Sequence, residues 1–111
     1  MLEVNVAGLE NATLIEVSGR VDSMTANLLG EALSNPIDDG QVNIVLDLSG
    51  VDYMSSAGLR EIIAALKKVK RVAGDLRIAQ PSSRVMEVFE MAGIDTLVRI
   101  FSSRIEAVES Y

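Results

Sequence analysis

Hydrophobic and polar residues alternate along two segments at the start of the chain. Leu2–Ala7 and Thr13–Ser18 both show this alternation, and a connection containing Gly and Asn separates them. The pattern predicts a β-hairpin, because successive side chains of a strand point to opposite faces. If the first strand lies at a sheet edge, Leu2, Val4 and Val6 could pair with another copy of the chain, although a covered edge is the commoner outcome.

Residues 22–34 change to the period of an amphipathic helix. Asp22 or Ser23 is expected to be the N-cap, because short polar side chains accept hydrogen bonds from the first turn. Asn35-Pro36 is expected to end the helix, since proline cannot continue it and disfavours helical backbone in the preceding residue. The predicted apolar face contains Met24, Leu28, Leu29, Ala32 and Leu33.

Strands and helices alternate over the rest of the chain. Val42–Leu48 is a nearly continuous apolar run, which is typical of a strand covered on both faces. Residues 57–72 have the clearest helical stripe, and Gly74 is expected to end that helix. The later segments predict a strand at Leu76–Ala79, a helix from Ser82 or Ser83 through Glu90 that stops near Gly93, a strand at Leu97–Phe101 and a last helix capped by Ser103 and Glu106. The order ββαβαβαβα predicts one α/β domain over residues 1–111.

The composition excludes several kinds of chemistry. The 111 residues include no His and no Cys, and 16 acidic residues against 10 basic ones give a formal net charge of −6. Without His or Cys, the chain cannot form a Ser-His-Asp triad, a cysteine nucleophile or the usual zinc site. The negative charge opposes general nucleic-acid binding, which requires a positive surface. We therefore expect no metal, no cofactor and no direct nucleic-acid partner.

Membrane and export signals are also not expected. The start of the chain, Met1–Asn5, lacks the basic residues and the apolar run of a signal peptide. Apolar runs such as Ile62–Leu66 are far shorter than the ~20 residues that span a bilayer. No cysteine is present to form a disulfide framework. The expectation is a cytoplasmic protein without a membrane partner.

The segment Met54–Gly58, with two adjacent serines, lies between a predicted strand and the clearest predicted helix. One interpretation is that Ser55 or Ser56 only caps the helix. The other is that a phosphate on Ser56 would be tolerated there, because a helix N-terminus favours an anion. An enzyme that used Ser56 as a nucleophile would need a base, and Lys67 lies ~16 Å away by helical rise. We therefore do not expect enzymatic activity.

Two further charged segments have structural interpretations. Lys67–Arg71 is a basic run at the end of a predicted helix, where cations complement the helix dipole. Asp38-Asp39 lacks the spacing of a calcium-binding loop and is expected to be a solvated turn. The glycines form neither a Walker motif nor a dinucleotide fingerprint.

Three stretches of the chain resemble the STAS domains of anti-sigma factor antagonists. Residues 45–59, Val-Leu-Asp-Leu-Ser-Gly-Val-Asp-Tyr-Met-Ser-Ser-Ala-Gly-Leu, look like the central signature of that family. Residues 18–26 resemble its first strand-to-helix turn, and Pro81–Ile94 resembles its third helix and the turn after it. The resemblance implies a mixed β-sheet of about five strands flanked by about four helices.

The resemblance also implies a regulatory cycle. In that family the unphosphorylated protein binds an anti-sigma factor that is also a serine kinase, which frees a sigma factor, and a serine phosphatase reverses the phosphorylation. The family's acceptor serine matches Ser56. Ser55 stands where many members have Asp, and it is the second candidate. The implied partner-binding residues are Asp22, Ser23, Met54, Ser55, Ser56, Ala57 and Gly58. The alternative is a STAS interaction module of another signalling or transporter-associated complex, without phosphorylation.

Overall fold

The predicted strands form one mixed sheet in the computed structural model, which describes residues 2–111. The elements are β1 (Leu2–Gly8), β2 (Thr13–Val21), α1 (Ala26–Asp38), β3 (Asn43–Met54), α2 (Ser56–Lys70), β4 (Asp75–Ala79), α3 (Ser83–Ala92), a 3₁₀ turn (Ile94–Thr96), β5 (Ile100–Phe101) and α4 (Arg104–Glu109). The strand order is β1-β2-β3-β4-β5, with β1 antiparallel to β2 and the later pairs parallel. The predicted α/β class and the mixed sheet of five strands with four helices are confirmed.

The sheet is covered on both faces, because successive side chains of its central strand, β3, are buried in two different hydrophobic cores. Ile44, Leu46 and Leu48 of β3 belong to the larger core, to which α1, α2 and α3 also contribute. Val45 belongs to a smaller core on the opposite face, which is covered by α4. The smaller core consists of Ala12, Leu14, Val45, Ala79 and Ala107. The prediction that β3 is covered on both faces is confirmed.

The strands β2 and β3 extend beyond their predicted ends. β3 continues to Met54 rather than stopping at Leu48, and it pairs with β2 as far as Val21. Gly50 permits this close pairing, because a Cβ atom there would lie only 2.6 Å from the Cβ atom of Ser18. The two long strands therefore end side by side at the carboxyl edge of the sheet.

Both ends of α1 lie later in the chain than predicted. The N-cap position is Thr25, whose side chain makes no capping hydrogen bond. The predicted Asp22 does accept hydrogen bonds from the Met24 and Thr25 N–H groups, but in the turn that leads into the helix. The helix continues through Pro36 to Asp38. Pro36 lies in the last turn, so the missing N–H donor and the steric effect of its ring disturb only the end of the helix. Burial of Pro36 and Ile37 stabilises that turn against the core.

The predicted apolar face of α1 is only partly buried. Leu29 and Leu33 are fully buried in the core, as expected. Met24 precedes the helix and is 85% exposed, and Leu28 is 46% exposed. The predicted apolar face was therefore too wide, because Met24 lies outside the helix and Leu28 lies at the exposed margin of its buried face. Both residues lie on the surface close to the carboxyl edge.

The remaining helix ends follow local backbone geometry. The left-handed residue after α2 is Ala73, with φ 63°, and not the predicted Gly74. Gly93, with φ 75°, does end α3 in the left-handed conformation, as predicted. The Ser82 side chain caps α3, and the Ser103 hydroxyl accepts a hydrogen bond from the Glu106 N–H at 3.1 Å. The Ser82 cap and the Ser103 half of the predicted capping box are confirmed, while the Glu106 carboxylate accepts hydrogen bonds from the Ser102 and Ser103 hydroxyls. The strand β5 is shorter than predicted.

The helix α4 is held to the sheet through a buried carboxylate. Arg104 donates hydrogen bonds from Nε and Nη2 to Oδ2 of Asp47, at 2.9 and 2.7 Å. The Asp47 side chain is 1% exposed, and its Oδ1 accepts a hydrogen bond from the Ser49 N–H at 2.9 Å. Arg104 also forms an ion pair with Glu16. The buried charge of Asp47 therefore has its counter-ion on α4.

Replacing Gly74 by alanine is expected to lower the free energy of unfolding by about 2 kcal/mol. The added Cβ atom would collide with the Val42 backbone oxygen and lie 2.6 Å from Val42 Cβ and 2.7 Å from Val69 Cγ2. The Gly74 N–H also donates a hydrogen bond to the Val69 carbonyl at 2.9 Å, which fixes its position. Urea denaturation measures the effect. Gly8→Ala is the control, because no described atom lies within 4 Å of a Cβ atom there, and its stability should be nearly unchanged.

Candidate functional site

The segments that follow β2 and β3 meet at the carboxyl edge of the sheet. Val21 and Met54 are register partners at the ends of the two strands. The Ser55 N–H donates a hydrogen bond to the Val21 carbonyl at 2.9 Å, which joins the two segments just beyond the strands. In α/β sheets this edge is the usual location of binding sites. The turn before α1 and the N-terminus of α2 therefore form one surface.

The turn between β2 and α1 is ordered by a carboxylate. Oδ1 of Asp22 accepts hydrogen bonds from the Met24 and Thr25 N–H groups, at 2.9 and 3.2 Å. The hydrogen bond from Met24, together with those from Thr25 and Arg20, lowers the pKa of the Asp22 carboxyl despite the opposing effect of desolvation. Asp22 therefore carries a negative charge at neutral pH, and the turn presents Ser23 and Met24 to solvent.

The two adjacent serines have different environments. Ser55 occupies the N-cap position of α2 with extended backbone, but its side chain makes no capping hydrogen bond. Its Oγ atom is buried and has no hydrogen-bond partner in residues 2–111. Ser56 is the first residue of α2 and is exposed. Only the Ser56 hydroxyl is therefore accessible to another protein.

The N-terminus of α2 favours an anion. The helix has 15 residues and no acidic residue in its first turn, while Lys67, Lys68 and Lys70 lie in its last turn. No side chain caps the start of the helix, so the first N–H groups and the positive end of the dipole are available to an anion. The basic run lies at the C-terminal end of α2, where it was predicted to complement the dipole. Lys68 also forms an ion pair with Asp38 at 2.6 Å.

Two of the predicted partner-binding residues lie beneath the surface. Met54 is 3% exposed, and Gly58 is buried against it. A Cβ atom on Gly58 would lie 2.6 Å from Val21 Cγ1 and 3.0 Å from Met54 Cγ. In the chain without a partner, Met54 and Gly58 therefore support the surface from below, and their contact with a partner stays a prediction. Ala57 is half-buried between them and the exposed Ser56.

Arg20 and Tyr53 are neighbours of the site that were not predicted. The Arg20 guanidinium carbon lies 3.9 Å from the centroid of the Tyr53 ring, and Arg20 Nε lies 3.2 Å from Oδ2 of Asp22. The contact depends on the register that pairs Arg20 with Tyr53. The two residues are 33 positions apart in the sequence, so periodicity within one segment gives no sign of their contact.

In residues 2–111, no three side chains of the His, Cys, Asp or Glu types are grouped so that they could hold a metal ion. None of the helices in this part of the chain combines the length and the hydropathy that a bilayer crossing requires.

Comparison with known proteins identifies the family. The STAS domain family model matches residues 3–107, which is nearly the whole chain. The chain belongs to the STAS domain family. BtrV of Bordetella bronchiseptica is 35% identical over 95 residues, which cover 86% of this chain and 82% of BtrV. The anti-sigma-B factor antagonist of Bacillus subtilis is 28% identical over 99 residues, covering 89% of this chain and 90% of that protein.

Solved STAS structures share the fold described above. The anti-sigma factor antagonist SpoIIAA in its unphosphorylated form superimposes with a TM-score of 0.84 at 18% identity, covering 97% of this chain and 95% of that chain. SpoIIAA of Bacillus in its phosphorylated form gives a TM-score of 0.77 at 18% identity, covering 97% and 98%. The resemblance inferred from residues 45–59 is confirmed. The relatives are named as regulatory antagonists and not as enzymes, in agreement with the expectation of no enzymatic activity.

Proposed function

We propose that the chain is an anti-sigma factor antagonist. Its unphosphorylated form would bind an anti-sigma factor that is also a serine kinase, and would thereby release a sigma factor in the cytoplasm. Membership of the STAS family and the names of the relatives support this role. The observation that carries the proposal is Ser56, an exposed serine at the uncapped N-terminus of a long helix, beside the ordered turn at Asp22.

Phosphorylation of Ser56 is the proposed switch. A phosphate adds about −1.5 to −2 charges and three acceptor oxygens. The N-terminus of α2 can hold such an anion without unfolding, because its N–H groups and dipole favour negative charge. The same fold is adopted by SpoIIAA in both unphosphorylated and phosphorylated forms. A serine phosphatase would remove the phosphate and restore the binding-competent form.

The structure also supports a choice between the two candidate acceptors. A kinase must bring the acceptor hydroxyl to the γ-phosphate of ATP, so the hydroxyl has to be accessible. The Oγ atom of Ser55 is buried, whereas Ser56 is exposed. Phosphorylation of Ser55 would first require its side chain to leave this buried position. We therefore propose Ser56 as the acceptor and Ser55 as a structural residue of the helix start.

Incubation with the anti-sigma factor kinase of the same organism and MgATP is expected to add one phosphate to the protein, on Ser56. Tandem mass spectrometry of the digested protein locates the phosphate. Ser56→Ala is expected to remain unmodified, while Ser55→Ala, the matched control one residue away, keeps the modification. A phosphate on Ser55 in the native protein would contradict the assignment. Absence of any phosphate in a kinase–antagonist complex that does form would instead favour a STAS interaction module without phosphorylation.

A further inference from the structure

The strand β1 has an outer edge that no other strand in residues 2–111 covers. It pairs with β2 over all seven of its residues, from Leu2↔Gly19 to Gly8↔Thr13, without a register shift. An open edge of unpaired N–H and C=O groups is a template for another strand. Natural proteins usually protect such edges with charged side chains, proline or a bulge. β1 has no proline and no bulge, and Glu3 is its one charged residue, whereas the opposite edge strand, β5, has only two residues.

The side chains of β1 divide between the two faces of the sheet. Val4 packs against the larger core, and its register partner is the buried Val17. Val6 points to the same face, opposite the fully buried Ile15, yet it is 52% exposed. The apolar face of the sheet is therefore not completely covered at β1, where the Val6 side chain remains accessible to solvent.

We propose that β1 pairs antiparallel with β1 of a second copy of this chain, about a two-fold axis that passes beside Asn5 perpendicular to the sheet. With this axis, the helix α4 of each copy lies on the same side of the combined sheet. The helices α1, α2 and α3 of both copies lie on the other side. Antiparallel pairing centred on Asn5 uses the full length of β1, from Leu2 opposite Gly8 to Gly8 opposite Leu2. Antiparallel pairing centred on any other residue would leave one end of β1 unpaired. The proposal does not depend on the proposed function.

The register centred on Asn5 is self-complementary. Val4 of each copy lies directly opposite Val6 of the other, on the face where Val6 is exposed. Glu3, the one charged residue of β1, lies opposite Ala7. The two Glu3 side chains are then separated by four residues of strand rise, about 14 Å. This distance exceeds the screening length of about 8 Å at physiological ionic strength, so repulsion between them is weak.

The absence of cysteine from the chain allows a direct test of this register by single cysteine variants. Directly opposed residues of antiparallel strands have Cα atoms about 4.5–5.5 Å apart, within the range of a disulfide. Under mild oxidation Asn5→Cys is expected to form a disulfide-linked dimer several-fold faster than Glu3→Cys or Ala7→Cys alone. A mixture of Glu3→Cys and Ala7→Cys is expected to form the mixed dimer at the fast rate.

Sedimentation equilibrium of the unaltered protein provides the second readout. A monomer–dimer equilibrium is expected, and Val6→Lys should shift it towards the monomer without changing phosphorylation by the kinase. The proposal is overturned if the unaltered protein stays monomeric at its highest soluble concentration. It is also overturned if Asn5→Cys cross-links no faster than Glu3→Cys, since a dimer with another interface would show that result. Neither outcome bears on Ser56, whose phosphorylation is tested separately.

Discussion

Arg104→Ala is expected to lower the free energy of unfolding by about 3 kcal/mol. The substitution removes the counter-ion of Asp47, whose side chain is 1% exposed and stays buried in the sheet. An ionised carboxylate left there loses two hydrogen bonds from the guanidinium and keeps only the one from the Ser49 N–H. The Arg104 side chain itself is 43% exposed, so water can partly replace it, and the lower end of the range for broken buried pairs applies.

A double-mutant cycle separates this charge effect from lost packing. Asp47→Asn removes the charge, and its Oδ1 can still accept the hydrogen bond from Ser49. In that background Arg104→Ala is expected to cost less than about 1 kcal/mol, because no buried charge is left unpaired. Urea denaturation of the four proteins measures the coupling, and Arg84→Ala, at an exposed position of α3, is the control. If Arg104→Ala lowered the free energy of unfolding equally in both backgrounds, its stabilising effect would not come from Asp47.

The Arg104–Asp47 pair is expected to affect stability without affecting the proposed phosphorylation site. Arg104 and Asp47 lie on the α4 face of the sheet, whereas Ser56 begins α2, which packs on the other face. Loss of the pair should therefore lower stability while the kinase still modifies the fraction of protein that is folded. A stability defect at Arg104 is thus not expected to mimic the Ser56 switch.

The sequence predicted most elements because each one buries a single periodic set of side chains. The alternation of β1 and β2 and the stripe of α2 are local signals, and the structure confirms them. The extension of β3 through Ser49–Asp52 was missed, since these residues resemble a loop by composition. Pairing with β2 supplies the missing hydrogen bonds and overrides that local preference. Such pairing depends on residues about 30 positions away, which no window of the sequence contains.

In the candidate site, too, the sequence predicted the local features and missed those that depend on contacts between distant segments. The motif and the helix start predicted Ser55 and Ser56, because both signals lie within a few residues of each other. The burial of Met54 and the stacking of Arg20 on Tyr53 depend on how β2 and β3 align. The orientation of the Ser55 hydroxyl is a property of the three-dimensional packing as well. Distinguishing the accessible serine from the buried one therefore required the structure.

Phosphorylation of Ser56 is expected to weaken binding to the anti-sigma factor at least 100-fold, or about 2.7 kcal/mol. In the complex the exposed Ser56 would be covered together with the turn that carries Asp22. A phosphate there has to lose its hydration on binding, and it adds to the negative charge of Asp22 against any carboxylate of the partner. Isothermal titration calorimetry of the two forms measures the difference. The difference in affinity between the two forms should diminish below about pH 6, where the phosphate takes up its second proton.

The same modification should leave the domain itself nearly unchanged in stability. The phosphate lies at the solvent-exposed first residue of α2, and the helix dipole offsets part of its charge, so the free energy of unfolding should shift by less than about 1 kcal/mol. Ser83→Glu is the matched control for an added charge, because Ser83 is likewise the exposed first residue of a helix. It should bind the anti-sigma factor far better than the form phosphorylated on Ser56. If phosphorylation instead unfolded the start of α2, as amide hydrogen exchange would show, weaker binding would reflect lost structure and the charge-switch mechanism would be wrong.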